Sequence, residues 1–195
     1  MKDHPVWPLP PKYAEIAERS QSIGFGMPSD QATGGLLRCL VASKRGARVL
    51  ELGTGTGLGA SWLLDGMGVS SQLDSVELND DYQKIARDLL SADPRITFYC
   101  EDGLGFLERT KDQTYDFIFA DTWPGKYVGF SHSLRILRLG GMLVLDDMLP
   151  QPNWSADHPP KVERLLREID ALPRSHYTVA KLSWFTGHII ITKRE

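Results

Sequence analysis

The sequence predicts an α/β fold, a doubly wound and mostly parallel sheet with helices on both faces. Two observations support this prediction. From Arg48 onward, short apolar runs of strand length alternate with segments of helical periodicity. A tight, glycine-rich turn separates the first apolar run from the helix that follows it. Repeated strand–helix units of this length imply parallel strands, because each helix returns the chain across a face of the sheet.

The composition is that of an ordinary globular chain, with 42% hydrophobic and 24% charged residues among 195. We expect a single domain over 1–195, with an N-terminal extension and helix at 1–28 and a core at 29–195. A net charge of −3 gives no reason to expect a nucleic-acid partner. Cys39 and Cys100 lack metal-site or redox spacing, and the first 13 residues lack the apolar core of a signal peptide. No apolar run is long enough to span a membrane, so we expect a cytoplasmic protein without a membrane partner.

The segment before the glycine turn predicts two helices. Apolar residues at helical spacing indicate a short helix over 13–19. The glycines and proline of 23–28 indicate a loop. Ser29 or Asp30 is then a suitable N-cap for a helix that ends near Ser43.

Strands and helices alternate through the rest of the chain. The predicted strands cover 49–50, 73–77, 96–100, 115–120, 142–145, 177–184 and 187–193. The first predicted helix after the glycine turn ends near residue 65, and the second begins at the Asn79 cap. A short helix runs through residue 107, and two more cover 127–137 and 162–172.

Four glycines occupy alternate positions directly after the first strand, namely Gly53, Gly55, Gly57 and Gly59. Glycine allows positive φ and lets a ligand approach the main chain closely, and the free N–H groups of the following helix favour a polar or anionic ligand. The turn therefore predicts a nucleotide-like cofactor. Residues 55–60 also match the dinucleotide pattern with alanine in the third glycine position, which leaves NAD open. Against NAD, Glu51 stands where a dinucleotide-binding strand usually continues apolar.

An acidic residue follows each of five consecutive predicted strands. Ligands of parallel sheets bind outside the carboxyl ends of the strands, near the point where the strand order reverses. We therefore expect these acids near the cofactor. They are Glu51, Glu77, Asp102, Asp121 and the pair Asp146–Asp147.

Several segments resemble a known enzyme family. Residues 51–57, Glu-Leu-Gly-Thr-Gly-Thr-Gly, resemble the first motif of class I S-adenosylmethionine (SAM) methyltransferases. Other segments resemble the catechol and caffeoyl-CoA O-methyltransferase family, namely 27–31, 116–121, 145–147 and 187–194. This resemblance implies a seven-stranded Rossmann-like sheet whose last strand is antiparallel. It also implies transfer of the SAM methyl group to a small molecule's hydroxyl, usually one of a vicinal pair held on a divalent cation.

The resemblance further implies the residues of the site. Glu77 takes the position of the ribose-binding acid, and Asp102 that of the acid that meets the adenine amino group. Asp121, Asp146 and Asp147 fall on the ligands of Mg²⁺ or Ca²⁺, although Asp147 replaces the usual asparagine. The complete implied cofactor set is Glu51, Gly53, Thr54, Gly55, Gly57, Glu77, Asp102, Gly103 and Asp121.

The loop after Asp121 departs from the family pattern. The third residue after that aspartate is commonly a lysine that is taken as the general base. Here it is Pro124, which cannot accept a proton. Lys126 lies two residues later, and we interpret it either as a surface lysine or, if the loop bends inward, as the base. We assign Lys126 and Asp121 as the catalytic residues.

Three alternatives remain beside a metal-assisted O-methyltransferase. They are an NAD-dependent oxidoreductase, a metal-independent methyltransferase with another acceptor, and a catalytically silent SAM-binding module, which Pro124 favours. We interpret Cys39 and Trp62 as core residues. The resemblance implies a homodimer, although the sequence shows no interface. Four loop residues are interpreted either as acceptor contacts or as loop packing, namely Trp123, Asn153, Trp154 and His158.

Overall fold

The computed structural model describes residues 8–194, so residues 1–7 of the predicted extension and residue 195 lie outside the described residues. It confirms the predicted α/β fold. The strands are β1 (Arg48–Leu52), β2 (Gln72–Glu77), β3 (Ile96–Cys100), β4 (Tyr115–Ala120), β5 (Leu137–Leu145), β6 (Tyr177–Leu182) and β7 (His188–Lys193). The helices are α1 (Tyr13–Ser22), α2 (Gln31–Ala42), α3 (Leu58–Gly66), α4 (Asp80–Leu90), α5 (Gly103–Arg109), α6 (Phe130–Ile136) and α7 (His158–Asp170).

All these strands join one sheet in the order β3-β2-β1-β4-β5-β7-β6. Strands β1 to β5 pair in parallel, and β7 is antiparallel to both of its neighbours, β5 and β6. The sheet that the family resemblance implies, with an antiparallel last strand, is therefore confirmed. The strand order reverses between β1 and β4, so the segments that leave these strands diverge and open a crevice at the carboxyl edge.

The hydrophobic core lies on both faces of this sheet. Leu50 and Leu52 of β1 pack with residues of α5, α6 and α7 in one cluster. Val49, which points the other way, packs with residues of α1, α2, α3 and α4 in a second cluster. Helices on both faces explain why the strands are nearly continuous apolar runs. No helix in the described part of the chain has both the length and the apolarity needed to span a membrane.

Two core predictions had different outcomes. Trp62 of α3 is 1% exposed and meets the Tyr13 ring edge-on at 5.7 Å between centroids, which confirms it as a core residue. The core assignment of Cys39 is wrong, because this thiol is exposed. Leu37 and Val41 of α2 are buried and lie four residues apart on one face. Cys39 is two residues from each of them and so falls on the opposite face of the helix.

The predicted N-caps of two helices are confirmed. The Asp30 carboxylate accepts hydrogen bonds from the backbone N–H groups of Ala32 and Thr33 at 2.7 and 2.9 Å. Asn79 does the same for Asp81 and Tyr82 at the start of α4. Such caps satisfy backbone donors that have no partner within the helix.

Among the boundaries that differ from the predicted ones, three have a clear structural reason. Strand β5 begins at Leu137 rather than 142, because its pairing with β4 shifts register and accommodates the Gly140–Gly141 turn as an irregularity. Helix α6 begins at Phe130 rather than 127, because the preceding residues close a separate turn in which Gly125 N–H donates to Val128. Helix α7 begins at His158 rather than 162, since its two prolines occupy the first turn, where no N–H is needed.

Candidate active site

A cavity of about 500 Å³ opens at the carboxyl edge of the sheet. We call one side of it the glycine end, formed by the turn at 53–59 and Glu77. We call the other side the acidic end, formed by Asp121, Lys126, Asp146 and Asp147. The cavity therefore joins the two groups of residues that the sequence placed at the ends of different strands. The further lining includes Phe25, Met27, Ser29, Asp30, Tyr82, Trp123, Asn153, Trp154 and His158.

The glycine end depends on a backbone that other residues adopt only with strain. Gly53 has φ +97°, and a Cβ there would lie 2.9 Å from the carbonyl oxygen of Asp121. Both its conformation and this close backbone contact require glycine. Phe25 from the N-terminal loop covers the turn and packs edge-on against Tyr82 at 5.0 Å between centroids. Both rings also line the cavity, so they form part of its wall beside the turn.

Glu77 supports the same turn from the end of β2. One carboxylate oxygen accepts from Gly55 N–H at 2.9 Å, and the other accepts from Asn79 N–H at 2.9 Å. Each oxygen keeps a further lone pair for a ligand hydroxyl. The half-buried carboxylate lines the cavity, as the sequence prediction requires.

Glu51 lies beneath the turn and does not line the cavity. It is 0% exposed, and one carboxyl oxygen accepts from the Ser75 hydroxyl at 2.5 Å. The other oxygen has no hydrogen-bond partner within residues 8–194, and a Cβ at Gly59 would lie 2.6 Å from it. Burial raises the pKa of Glu51 to about 8, and the hydrogen bond from Ser75 opposes this rise. Burial therefore favours the neutral form of this carboxyl group in the core.

Asp102 and Gly103 line a smaller cavity of about 70 Å³ beside the main one. The two cavities share Gly53, Glu77 and Thr122 in their walls. Asp102 is exposed and caps α5, where one carboxylate oxygen accepts from Gly105 N–H at 3.2 Å. The structure therefore places these two predicted residues next to Glu77 but outside the main cavity.

At the acidic end, Asp121 follows β4 and accepts from the Ser29 hydroxyl at 3.2 Å. Burial, followed by the charge of Asp146, raises the pKa of Asp121 well above its ordinary value. Asp146 is 3% exposed and accepts from the Thr186 hydroxyl at 2.6 Å, and its carboxylate lies 3.1 Å from His188 Nε2. Burial alone would raise the pKa of Asp146, but the contacts with His188 and Thr186 outweigh it, so this pKa is lowered.

Asp147 has an unusual backbone conformation, with φ +58°. One of its carboxylate oxygens accepts from the Trp154 indole N–H at 2.8 Å. Each of the three predicted metal ligands thus already has an oxygen engaged by a protein donor. Among residues 8–194, no three His, Cys, Asp or Glu side chains converge closely enough to hold a metal ion. These donors therefore do not form a metal site as they are arranged, and Mg²⁺ or Ca²⁺ stays a prediction.

Lys126 is buried in the wall of the cavity, at 2% exposure. Its interpretation as a surface lysine is wrong, because the loop bends inward, while its role as the base stays a prediction. The Gly125 turn directs it inward, with φ +83° and a Cβ position only 2.4 Å from Leu52 Cδ1. Lys126 Nζ donates to the carbonyl oxygen of Asp146 at 2.8 Å. Burial lowers the pKa of Lys126, and the nearby carboxylates of the acidic end oppose this effect.

An aromatic cluster stands over the acidic end. The rings of Trp154 and His158 stack 4.0 Å apart at 10°, and the Tyr127 hydroxyl lies 2.9 Å from His158 Nε2. Trp123 meets both Tyr127 and His158 edge-on and is 42% exposed. From the sequence, Trp123, Trp154 and His158 could be either acceptor contacts or packing residues. Their mutual contacts show packing, and all three also line the cavity.

Sequence reasoning missed a buried hydrogen-bond network behind the acidic end. His188 Nε2 lies 2.9 Å from the Thr33 hydroxyl, which donates to the Asp30 carboxylate at 2.6 Å. Because His188 also contacts Asp146, the network connects the start of α2 to the end of β5. One signal could have found it. If β7 is antiparallel beside β5, its first residue lies next to the residue that follows β5.

Comparisons with known proteins agree with this geometry. The O-methyltransferase family model matches residues 15–178. A Mycolicibacterium vanbaalenii protein, provisionally assigned as an O-methyltransferase, is 35% identical over 138 residues, 68% of this chain and 60% of that protein. A counterpart from Mycolicibacterium smegmatis is 32% identical over 137 residues, covering 68% of this chain and 65% of its own length. This chain thus spans less than two thirds of both relatives.

Solved structures show the same fold at lower identity. The Bacillus cereus O-methyltransferase, solved with S-adenosylhomocysteine (SAH), superposes with a TM-score of 0.80 at 22% identity, covering 96% of this chain and 93% of that one. A Staphylococcus aureus protein, provisionally described as a caffeoyl-CoA O-methyltransferase, gives 0.73 at 19% identity over 93% and 91% of the two chains. At these identities the structures support the fold alone. Because the family model matches most of its length, this chain belongs to the O-methyltransferase family.

Proposed function

We propose that this protein transfers a methyl group from SAM to a hydroxyl group of a small molecule. The observation that carries the proposal is the single cavity in which the glycine end and the acidic end face the same space. A methyltransferase must hold a cofactor and an acceptor side by side, and positioning of two reactants supplies much of the rate. The O-methyltransferase family and the SAH complex of the Bacillus cereus structure support SAM as the cofactor.

The glycine end is the proposed cofactor site. The turn at 53–59 would accept the amino acid part of SAM against its backbone, and Glu77 would accept hydrogen bonds from the ribose hydroxyls. Asp102 and Gly103 in the adjoining small cavity would contact the adenine. Glu51 would act from beneath the turn, because its carboxyl group does not reach the cavity wall.

The acidic end is the proposed acceptor site. SAM would supply the electrophilic methyl group when bound. The acceptor oxygen would form the new C–O bond as the C–S bond breaks, and the bonding pair would stay on the sulfur of SAH. The hydroxyl proton would pass to Asp121, to Lys126 or to water. Metal assistance stays a prediction that the present donor arrangement does not favour, so no step passes through a metal.

Separate titrations of SAM and NAD test the cofactor. We expect SAM to bind and NAD not to bind, measured by isothermal titration calorimetry. Replacing Glu77→Gln removes a charged acceptor and should weaken SAM binding by about 1.5–3 kcal/mol, roughly 10- to 150-fold. The control Glu163→Gln changes an exposed residue of α7 and should leave binding unchanged. Tight NAD binding without SAM binding would support the oxidoreductase alternative instead.

A panel of hydroxylated acceptors tests the reaction. When the protein is supplied with SAM labelled on its methyl group, at least one acceptor should become a labelled methyl ether. We expect the substrates to include compounds with vicinal hydroxyls. Mass spectrometry would identify the methylated oxygen. Normal SAM binding with no transfer to oxygen, nitrogen or carboxyl acceptors would favour the catalytically silent module.

Three further expectations stay predictions of the sequence. They are a cytoplasmic location, a homodimer, and the lack of nucleic-acid or membrane partners. Sedimentation velocity of the purified chain would test the dimer directly.

A further inference from the structure

The acidic end contains a buried ammonium group among three carboxylates. Lys126 is the one lysine or arginine among the described residues that line the cavity. Asp121, Asp146 and Asp147 line the same cavity as this group. Carboxylates that are taken out of water need a compensating charge, and Lys126 supplies one from within the chain.

Lys126 also has donors to spare. An ammonium group carries three N–H donors, and the Asp146 carbonyl oxygen takes one of them at 2.8 Å. Within residues 8–194, the other two have no hydrogen-bond acceptor. Because Lys126 lines the cavity, these N–H groups are available to an oxygen atom that enters it.

The loop that carries Lys126 holds it firmly in this place. Gly125 N–H donates to the Val128 carbonyl at 2.7 Å, and the Ser133 hydroxyl donates to the Gly125 carbonyl at 3.0 Å. Pro124 packs on Gly103, where a Cβ would lie 2.9 Å from the proline Cβ. These contacts fix the loop on both sides of Lys126. The position where the family has its lysine is thus occupied by a residue that builds the turn.

From these observations we infer that the Lys126 ammonium group takes the place of a divalent cation at the acidic end. It contacts the acceptor oxygen directly and compensates the three aspartates, so the protein needs no metal. This inference rests on the proposed methyl transfer and names the group that binds its acceptor. In this inference Lys126 acts as a hydrogen-bond donor to the acceptor oxygen and not as a base. The acceptor oxygen attacks the methyl carbon, sulfur retains the C–S bonding pair, and the hydroxyl proton leaves to solvent water.

Metal binding to the unmodified protein is the first test, and it requires no acceptor. Tb³⁺ luminescence is suitable because Trp154, which bonds to Asp147, would sensitise an ion at the acidic end. Electron paramagnetic resonance of Mn²⁺ gives an independent reading. We expect neither ion to bind. We also expect the turnover rate in EDTA and the turnover rate in Mg²⁺ to agree within twofold. Binding at this site, with turnover abolished by EDTA and restored by Mg²⁺, would overturn the inference.

The second test removes the charge with Lys126→Met, which preserves length and an apolar stem. Loss of a donor aimed at the reacting oxygen should lower kcat by about 10²-fold, while SAM binding persists. The matched control is Lys193→Met, because Lys193 Nζ also donates to backbone carbonyls, those of Leu134 and Leu137, away from the cavity. The control should keep full turnover. Full turnover of Lys126→Met would overturn the inference.

Two further measurements separate the role of Lys126 from effects on folding and from the proposed function. Lys126→Arg retains the charge and should keep more activity than Lys126→Met, whereas equal loss in both would indicate a base and contradict the inference. Mn²⁺ binding that appears only in Lys126→Met would show that the lysine fills the cation's place. If the protein neither binds SAM nor transfers methyl groups, the proposed function fails, while the metal-binding results still decide the role of Lys126.

Discussion

The glycine end and the acidic end share one cavity, but they are built in different ways. The glycine end is formed mainly by the backbone conformation of residues 53–59 and by the Glu77 carboxylate. These residues belong to one strand–helix–strand unit of the sequence. At the acidic end, side chains from β4, β5, β7 and the N-terminal loop meet through long-range contacts. A local motif can therefore predict the first region, whereas the second depends on how the whole chain folds.

The same contrast separates the two functions. The glycine end carries the segment that resembles the first motif of SAM methyltransferases. The acidic end carries the departures, namely Pro124, the inward Lys126 and Asp147. We therefore expect changes at one end to affect cofactor binding and changes at the other to affect transfer.

The largest effect is expected for Gly53→Ala. Alanine would have to adopt the strained backbone conformation at φ +97°, and its Cβ would lie 2.9 Å from the carbonyl oxygen of Asp121. Backbone strain costs about 1–3 kcal/mol, and overpacking adds about 1–3 kcal/mol. SAM binding should be lost, as measured by calorimetry. The control Gly140→Ala has φ +74° with nothing within 4 Å of its Cβ, so it isolates the strain. Similar behaviour of both variants would argue against close packing at the turn.

Gly125→Ala makes the corresponding change at the acidic end. Its Cβ would lie 2.4 Å from Leu52 Cδ1 and 3.0 Å from Ser133 Oγ, at φ +83°. Because the Leu52 side chain can shift, we expect a loss of about 2–4 kcal/mol in unfolding free energy. Methyl transfer should fall sharply while SAM affinity changes less than threefold. A loss of SAM binding as large as that of Gly53→Ala would break the proposed separation of the two ends.

Glu51→Gln tests the buried carboxyl beneath the glycine end. Its pKa is raised from 4.5 to about 8 in the folded protein, so between these pH values the folded state holds a proton that the unfolded state has released. The stability of the unmodified protein should therefore fall across this window, by about 1.4 kcal/mol per pH unit. The variant should lack this slope in urea unfolding measured from pH 5 to 8. Parallel profiles for the two proteins would show that Glu51 is ionised.

Thr33→Val is expected to have the smallest effect. It removes the hydroxyl that joins Asp30 to His188, and the unpaired groups should cost about 1–3 kcal/mol of unfolding free energy. Transfer should slow severalfold because Asp146 loses part of its support, with SAM binding retained. The control Thr114→Val removes an exposed hydroxyl that bonds to Lys111 and should be nearly neutral. Equal stability of the two variants would contradict a structural role for the buried network.

Much of the fold was predictable from the sequence, because strand and helix periodicity are local signals. The Asp30 and Asn79 caps were found for the same reason. Boundaries failed where tertiary structure decided them, as at β5, whose irregular pairing with β4 extends it to Leu137. Cys39 was misassigned because cysteine is a residue type that is usually buried, whereas its position two residues from Leu37 and Val41 places it on the opposite face of α2.

The site was predictable to a smaller extent. The motif identified Glu77 and the glycine turn, which line the cavity. It could not show that Glu51 is buried beneath the turn, since that depends on the packing of Gly59 and Ser75. The sequence favoured an exposed Lys126, because loop lysines are usually solvated, and only the packing of the Gly125 turn reverses this. His188 lies in the segment 187–194 that resembles the family, but its contact with Asp146 depends on the strand order of the sheet.

The most direct test of the two-ended cavity is labelled methyl transfer from SAM by protein that has been treated with EDTA. The reaction should yield equal amounts of SAH and of an acceptor labelled on a hydroxyl oxygen, at a rate that added Mg²⁺ leaves unchanged. Bound SAM with no labelled product from any hydroxylated acceptor would contradict the proposed transfer. A labelled product that forms only after Mg²⁺ is added would retain the transfer but contradict the role of Lys126.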